Sequence, residues 1–413
     1  MAIVNGRSSS DVITPVFTSI GVSGQPTAVS DQIDAGAGDD FISGGAGNDS
    51  INGRSGIDTV AYSDASAGID VSLATGLVSG GAGNDTLSSI ENAIGSGFAD
   101  TITGSSGSNS LRGDGGNDTF IGTAGNDTLN GGAGSDDAAN YSLIGAAVTL
   151  SAQGVLNKGT ALGTDTLIGI ERIIGSTLLG DTVDLSGAIA PATSTTANLT
   201  SGLISINGPS GVLLINGTPL SFSVSQFENV TGSSLADTIT GNSGNNILLG
   251  GIGNDILNGG AGNDTLNGGA DIDTASYTDA AAAVTVSLTA GTASGGAGSD
   301  TLIAIENVTG TNFADTITGS SGVNILSGSD GNDFISGGLG SDFIAGNAGK
   351  DTLLGGADND MDTFAFTSFS DSLLANFILL ATLPASTSST GRVSLLQALT
   401  PPTALRQDCW PRR

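Results

Sequence analysis

The chain has 413 residues and a formal net charge of −30, with 67 glycines, no histidine and a single cysteine. This charge argues against binding to nucleic acid or to anionic membranes, and it favours multivalent cations as ligands. The absence of histidine excludes Ser-His-Asp triads and histidine-dependent zinc sites, and the single cysteine excludes an intrachain disulfide framework.

Residues 1–34 form a short polar lead-in to the repeats that follow. The segment from Met1 to Asp11 lacks a basic start followed by an apolar run, so no cleaved N-terminal signal peptide is predicted. No stretch of the chain reaches the length of a transmembrane helix without polar residues, and we expect no transmembrane segment.

From residue 35 onwards the chain repeats a nine-residue unit, Gly-Gly-x-Gly-x-Asp-x-apolar-x, as in GGAGNDSIN at 44–52 and GGAGNDTLN at 259–267. We count 21 units in register, of which 18 have Asp at the sixth position and three have Asn there, namely Asn109, Asn246 and Asn324. Runs of units begin at residues 35, 95, 232 and 310, and single units begin at 80 and 295. A fixed period of this kind is typical of calcium-binding parallel β-solenoids.

Strand-rich connectors interrupt the runs. IDVSL at 69–73, AVTL at 147–150 and VTVSL at 284–288 alternate apolar and polar residues, which predicts half-buried strands. The predicted organisation is repeats over 35–139 with a connector at about 62–94, a divergent connector over 140–231, and repeats over 232–377 with a connector at about 277–309. An atypical basic tail follows at 378–413, for which disorder is one interpretation.

The repeat unit has the residues that a calcium-binding turn requires. Glycines at positions 1, 2 and 4 allow a tight turn that aims carbonyl groups inwards, and the sixth-position Asp adds a carboxylate. Positions 7–9 are extended, with the apolar residue of position 8 pointing inwards, and two units make one coil of 18 residues. Stacked coils would line up oxygen atoms, and calcium prefers about six to eight of them. The predicted fold is an all-β, right-handed parallel β-roll or β-solenoid.

We predict that several calcium ions are held by the sixth-position carboxylates and by glycines of the best-formed turns. The predicted ligands are Asp40, Asp49, Asp58, Asp85, Asp118, Asp127, Asp136, Asp255, Asp264, Asp273, Asp300, Asp333, Asp342, Asp351 and Asp360, with Gly45, Gly47, Gly251, Gly253, Gly260, Gly262, Gly338 and Gly340. Because empty rows of carboxylates repel one another, we expect calcium binding and folding to be one event.

Over roughly residues 35–377 the chain resembles the repeats-in-toxin (RTX) family of hemolysin-type calcium-binding repeat proteins. The resemblance implies a parallel β-roll with calcium between its turns, and export through a bacterial type I secretion apparatus. DTFAFTSFSDS at 362–372 is similar to the segment that closes such repeat domains. Three runs begin with a unit that has Phe98, Leu235 or Phe313 in place of the fourth-position glycine, and we interpret these as capping turns in which an apolar side chain covers the open end of the roll.

Two sets of residues leave alternatives open. The glutamates are interpreted as structural contacts where a connector rejoins the roll, or as a separate metal or catalytic site; they are Glu91, Glu171, Glu228 and Glu306. The tyrosines are interpreted as caps of the roll, or as platforms for sugar stacking; they are Tyr62, Tyr141 and Tyr277. In each case we favour the structural interpretation.

The expected function is that of a non-enzymatic, calcium-binding repeat protein, secreted or on a bacterial cell surface, that acts as a scaffold, adhesive or surface-layer component. One alternative is the secretion-carrier part of a larger toxin or extracellular enzyme. Another is a polysaccharide-acting β-solenoid whose sugar site lies in the connector at 185–226. The lack of histidine and of a fixed carboxylate pair disfavours this last alternative.

Overall fold

The computed structural model describes residues 1–188, 194–207, 214–215, 218–219, 221–358 and 360–365. All regular secondary structure in these residues is β-strand, arranged in parallel-dominated ladders, which confirms the predicted all-β parallel roll. There is no helix among them that is long and apolar enough to cross a membrane. The predicted tail at 378–413 and most of the closing segment at 362–372 lie outside the described residues.

The chain divides into two compact units, and the second begins at Thr274. The domain boundaries that the sequence suggests stay a prediction, since this division does not test them. Each unit is built from two ladders of short strands, and the chain alternates between the ladders as it winds.

The first ladder of the first unit begins at the N-terminus. Its strands, in the order in which they pair, are Ile3–Arg7, Gln32–Gly36, Ser50–Asn52, Asp85–Ser88, Leu77–Gly80, Ile69–Ser72, Thr101–Thr103, Thr119–Ile121, Ala138–Asn140, Arg172–Ile174, Ser221–Ser225, Leu203–Asn207, Ser194–Asn198, Ala236–Thr240 and Ile256–Asn258. A separate small hairpin pairs Leu214–Ile215 with Thr218–Pro219.

The second ladder of the first unit also begins near the N-terminus. Its strands, in the order of pairing, are Val12–Ile13, Phe41–Ile42, Thr59–Ala61, Asn92–Ile94, Ser110–Arg112, Thr128–Asn130, Thr164–Ile168, Val155–Asn157, Thr149–Ser151, Thr182–Asp184, Asn229–Thr231, Ile247–Ile252 and Thr265–Ala270.

The second unit repeats this architecture. One of its ladders contains Thr274–Ser276, Asn307–Thr309, Ile325–Ser327, Phe343–Ala345 and Thr363–Ala365. The other contains Gly298–Ile303, Thr292–Gly295, Val284–Ser287, Thr316–Thr318, Phe334–Gly338 and Thr352–Gly356.

The nine-residue period sets the register of the ladders. Gln32 pairs with Ser50, and Ser110 pairs with Thr128, so paired residues are 18 positions apart and two units make one coil. The apolar residue of position 8 points into the space between the ladders, as Ile51 and Leu129 show by being almost fully buried. The core is therefore a narrow stack of single aliphatic side chains, which a glycine-rich, aromatic-poor sequence can supply.

Each connector inserts three antiparallel strands into one ladder. In the first connector the chain passes through Ile69–Ser72 and returns through Leu77–Gly80 to Asp85–Ser88, which pairs in parallel with Ser50–Asn52. The strand Ile69–Ser72 then carries the next coil. The connector at 149–168 makes the same insertion in the other ladder, and the one at 194–225 makes it in the first ladder again.

The three tyrosines lie inside the roll, at the points where the chain leaves a coil for a connector. Their exposed fractions are 1% for Tyr62, 0% for Tyr141 and 2% for Tyr277. A ring that stacks on a sugar must be exposed, so the stacking interpretation is wrong. The tyrosines fill the core where the regular aliphatic stack is interrupted.

Candidate metal sites

The sixth-position carboxylates form rows along the roll, one carboxylate for each coil. Asp118 Oδ1 accepts the backbone N–H of Asp100 at 2.8 Å, and Asp255 Oδ1 accepts that of Asp237 at 2.8 Å. In each pair the donor and acceptor residues are 18 positions apart, as the coil length requires. These side chains are buried, so the row is part of the structure and not a solvated acidic face.

The first-position glycine is required because the carboxylate of its own turn lies against it. A Cβ atom on Gly113 would lie 1.9 Å from Asp118 Oδ2 and 2.6 Å from the carbonyl oxygen of Gly131 in the next coil. The same position at Gly250 would lie 2.3 Å from Asp255 Oδ2. A carboxylate oxygen and a carbonyl oxygen therefore converge on the face of this glycine.

The second and fourth glycines shape the turn. Gly251 and Gly253 have φ values of 113° and 119°, which only glycine adopts readily, and a Cβ on Gly251 would lie 2.2 Å from the carbonyl oxygen of Ser233. All the predicted ligand glycines share a positive φ; they are Gly45, Gly47, Gly251, Gly253, Gly260, Gly262, Gly338 and Gly340. Their common property is this backbone conformation, which lets neighbouring turns stack closely.

The turns fall into two classes. In the first, which we call open turns, the Oδ2 atom of the row carboxylate is buried and has no hydrogen-bond partner among the described residues. In the runs of repeats the open turns are those of Asp40, Asp49, Asp58, Asp118, Asp137, Asp255, Asp333 and Asp342, and Asp85 in the first connector also has such an Oδ2 atom. In the open turns of the repeat runs the second-position residue has a positive φ, even where it is Arg54, Asp114 or Ser329. A buried carboxylate oxygen without a partner is costly, and a bound cation would satisfy it.

In the second class, which we call closed turns, a second-position Ser or Thr fills this role. The backbone N–H of Ser96 donates to Asp100 Oδ2, and its hydroxyl donates to Oδ1 at 2.7 Å. Thr311 makes the same pair of hydrogen bonds to Asp315, at 2.6 and 2.8 Å. The turns of Asp181 and Asp237 are closed in the same way by Ser176 and Ser233.

The closed turns correct the interpretation of the capping units. Phe98 and Phe313 are 48% and 46% exposed, so these side chains do not cover an open end of the roll. Their turns also lie inside the ladders, because Thr101–Thr103 pairs with a connector strand on one side and with the next coil on the other. The distinguishing feature is a position-2 Ser or Thr without a positive φ, as in Ser96 and Thr311, and not the apolar side chain at position 4; Ser329, with a φ of 72°, leaves its turn open.

Glutamates end segments of the rows, and three of the four accept a hydrogen bond from a sixth-position asparagine on their carbonyl group. Glu91 Oε2 accepts the N–H of Asp58 at 2.9 Å. Elsewhere in the rows the carboxylate of the next coil accepts this N–H. Asn109 donates from Nδ2 to the carbonyl oxygen of Glu91 at 2.6 Å and accepts the N–H of Ser105 at 2.7 Å. An aspartate side chain has no N–H to donate to this carbonyl oxygen, which explains why the sixth position is asparagine here. This geometry supports the structural interpretation of the glutamates.

Two predicted ligands are displaced from the rows. Asp118 donates its N–H to Asp137 Oδ1 at 2.8 Å, whereas Asp136 is exposed and pairs with Arg172 at 2.9 Å. In the last unit Asp342 donates to Asp362, at 3.0 Å, and Asp360 is exposed. These final turns are one and two residues longer than the repeat, so Asp137 and Asp362 enter the rows in place of Asp136 and Asp360.

The other predicted aspartates are in the rows. Asp85 accepts the N–H of Asp49 at 2.8 Å, and Asp127 accepts that of Asn109 at 2.9 Å. The remaining ones are buried as well: Asp264 accepts from Asn246 at 2.8 Å, Asp273 from Asp255 at 2.8 Å and Asp351 from Asp333 at 3.0 Å, and Asp300 is 3% exposed.

Burial makes the open turns unfavourable for ionised carboxylates. Burial above all, and then the charge of neighbouring row carboxylates, raises the pKa of Asp118, Asp255 and Asp333 to about 7 from an ordinary value of 3.8. Burial also acts to raise the pKa of Asp31, but hydrogen bonds from Ala2 and Thr27 outweigh it and leave this pKa below 3.8. The number of hydrogen-bond donors around a buried carboxylate thus decides whether it is ionised, and the open turns supply too few donors.

The oxygens of the open turns fit a hard divalent cation. No three acidic side chains converge on one point in the part of the chain that the structure describes, so the ligands of an ion would combine carboxylate oxygens with turn carbonyls. An all-oxygen donor set of this kind suits calcium. The sequence model of the RTX calcium-binding nonapeptide repeat (4 copies) matches residues 27–60, 77–89, 94–129, 112–138, 231–266, 240–275, 309–344 and 327–361. The chain therefore contains RTX calcium-binding nonapeptide repeats in several copies.

The RTX matches cover the runs of repeats and leave out residues 139–230, where the divergent connector lies. A search of curated protein sequences finds no similar protein. RTX repeats bind calcium, and in this chain the open turns offer the oxygens for it. RTX repeat proteins are generally secreted or extracellular.

Proposed function

We propose that this chain is a secreted or cell-surface protein whose RTX repeats fold on extracellular calcium into a rigid scaffold, without enzymatic activity. The observation that carries the proposal is the set of open turns, in which buried Oδ2 atoms recur along the rows without a partner among the described residues. Structural partners of the scaffold would be surface or extracellular polysaccharide, and export would use a type I secretion apparatus.

The physical reason for coupling is that the empty roll is unfavourable in two ways. Buried carboxylates in successive coils repel one another, and a glycine-rich chain loses much conformational entropy when it folds. Calcium removes the first cost and provides binding free energy against the second. Extracellular calcium modules bind with dissociation constants of about 10⁻⁴–10⁻³ M, so such a chain would stay open in a cell and fold outside it.

The test is a calcium titration of the full chain, followed by circular dichroism and calorimetry. We expect most of the β-sheet signal to appear cooperatively with calcium and to be lost in chelator. Magnesium is the control ion, and it should be much less effective because it requires a stricter octahedral site and retains water. A full β-sheet spectrum in chelator would refute the proposal.

A matched pair of variants assigns the effect to the rows. Asp255→Asn removes one charged ligand but keeps an oxygen that can accept the N–H of Asp237. Asp70→Asn is the control, since Asp70 is exposed on a connector strand. Only Asp255→Asn should raise the calcium concentration at half-folding, and equal shifts for both variants would point to bulk charge instead.

The two alternative functions differ in what they require. A polysaccharide-acting solenoid needs an exposed sugar site, and the burial of the tyrosines removes one candidate for it. A secretion carrier needs an effector domain, and calcium folding would be the same in either case. Binding of the calcium-loaded chain to glycan arrays or to bacterial cells would favour the scaffold or adhesive role.

A further inference from the structure

Lys158 is a buried lysine in the second connector, next to strand Val155–Asn157, and only 1% of its surface is exposed. Its ammonium contacts Asp165 Oδ1 and lies 3.5 Å from Asp127 Oδ2. These two aspartates are consecutive members of a row, because the N–H of Asp127 donates to Asp165 Oδ1 at 3.0 Å. An ammonium group therefore lies between two successive row carboxylates.

The other oxygens of this pair also have partners from the chain. The hydroxyl of Tyr141 donates to Asp165 Oδ2 at 2.8 Å. Asp127 accepts the N–H of Asn109 on Oδ1 at 2.9 Å and the hydroxyl of Thr123 on Oδ2 at 3.3 Å. Both carboxylates are satisfied by protein groups alone, which is the opposite of an open turn.

The first connector provides a matched comparison. Val78 pairs with the row aspartate of the first connector, and Leu156 pairs with that of the second. Two positions further along the chain the first connector has Gly80 and the second has Lys158. The two connectors are thus the same structure with a different residue beside the row.

The turns after these two positions differ accordingly. In the first connector the turn reads GGAGND at 80–85, which is the start of a calcium-binding repeat unit. Its row neighbour Asp49 keeps an Oδ2 atom without a hydrogen-bond partner in the described structure. In the second connector the turn reads KGTALGTD at 158–165 and has lost the repeat pattern. At the same position of the fold, the first connector therefore has a calcium-binding repeat turn and the second has a lysine.

We propose that the Lys158 ammonium takes the place of a calcium ion between Asp127 and Asp165, and that this coil keeps its structure when calcium is removed. The inference rests on the proposed function, since it assumes that ions occupy the corresponding gaps elsewhere. An ammonium provides a positive charge and three hydrogen-bond donors, and it is covalently attached, so its presence does not depend on the calcium concentration.

A calcium-independent coil has a consequence for folding. In a solenoid each coil contacts only its neighbours, and structure can propagate from any coil that is already formed. The coil around Lys158 lies between the repeat run of 95–139 and the run that begins at 232. It would therefore serve as a starting point from which calcium-dependent coils fold in both directions.

The first experiment uses the unmodified chain in chelator and labels lysines with an amine-reactive reagent, followed by mass spectrometry. Lys350 is the internal control, because it is the other lysine of the chain and is exposed. We expect Lys158 to react about a hundredfold more slowly than Lys350, as a buried pair requires. Equal reaction rates in chelator would overturn the proposal.

The second experiment counts calcium ions in two variants at saturating calcium. Lys158→Gly copies the residue of the first connector, and a turn exchange replaces KGTALGT at 158–164 with GGAGN from 80–84. Each should bind one more ion than the unmodified chain. An unchanged ion count in the turn-exchange variant would overturn the inference while leaving calcium folding intact. An unmodified chain that binds no calcium would overturn the proposed function as well.

Discussion

Gly113→Ala adds a single methyl group at the first position of an open turn. The new Cβ would lie 1.9 Å from Asp118 Oδ2, and ordinary contact begins at about 3.4 Å, so the carboxylate would have to retreat by about 1.5 Å. Overpacking of this kind costs about 1–3 kcal/mol. The displaced oxygen would also leave its position in the row, so calcium affinity should fall together with stability.

The matched control is Gly97→Ala, in the same run of repeats. A Cβ on Gly97 would have no atom within 4 Å, and its φ is not positive. Alanine there should stabilise the folded chain by about 0.4–1 kcal/mol, because it restricts the unfolded chain. The same chemical change should therefore have opposite signs at the two glycines.

The assay is urea unfolding at saturating calcium, with a calcium titration of each variant by circular dichroism. Gly113→Ala should lower the unfolding midpoint and raise the calcium concentration at half-folding, and Gly97→Ala should do neither. If Gly113→Ala behaved like Gly97→Ala in both measurements, the carboxylate would not lie against this glycine, and the geometry of the open turns would be wrong.

Three further predictions concern closed turns, pH and row neighbours. Ser233→Ala should destabilise the calcium-loaded chain by about 1–2 kcal/mol, because Asp237 loses a hydroxyl donor, with no change in ion count by calorimetry. Because the pKa of Asp118 is raised to about 7 in the fold, the calcium-free roll should be most stable below about pH 4 and lose stability as the pH rises to 7. Acidification in chelator should then increase the β-sheet signal, and calcium binding near pH 6.5 should release protons, measurable by calorimetry in buffers of different ionisation enthalpy. Asp137→Asn should weaken calcium binding while Asp136→Asn should not, and the reverse order would contradict the register of the final turn.

Much of the fold follows from the period of the sequence. A unit of nine residues with one apolar position predicts coils of 18 residues, and the pairing of Gln32 with Ser50 has that spacing. Alternation at 69–73 correctly predicts a strand. It does not reveal that the chain turns back twice before it rejoins the roll, because alternation reports burial and not the partner of a strand.

The candidate sites are less predictable because they depend on backbone angles and distant contacts. Asp114 and Ser329 look unlike glycine, yet both adopt a positive φ and leave the row carboxylate open. Ser96 is at the second position of its turn, as Ser329 is, but the turn of Ser96 is closed. Lys158 meets Asp127 across 31 residues of sequence, which no local pattern indicates. The chain has two lysines, and this rarity is the feature of the sequence that could have drawn attention to Lys158.

The most direct test of the central claim is small-angle X-ray scattering of the full chain in calcium and in chelator. The account predicts a compact particle in calcium and a much larger radius of gyration in chelator, because rows of buried carboxylates hold together only with a cation among them. An unchanged radius after complete removal of divalent ions would contradict it.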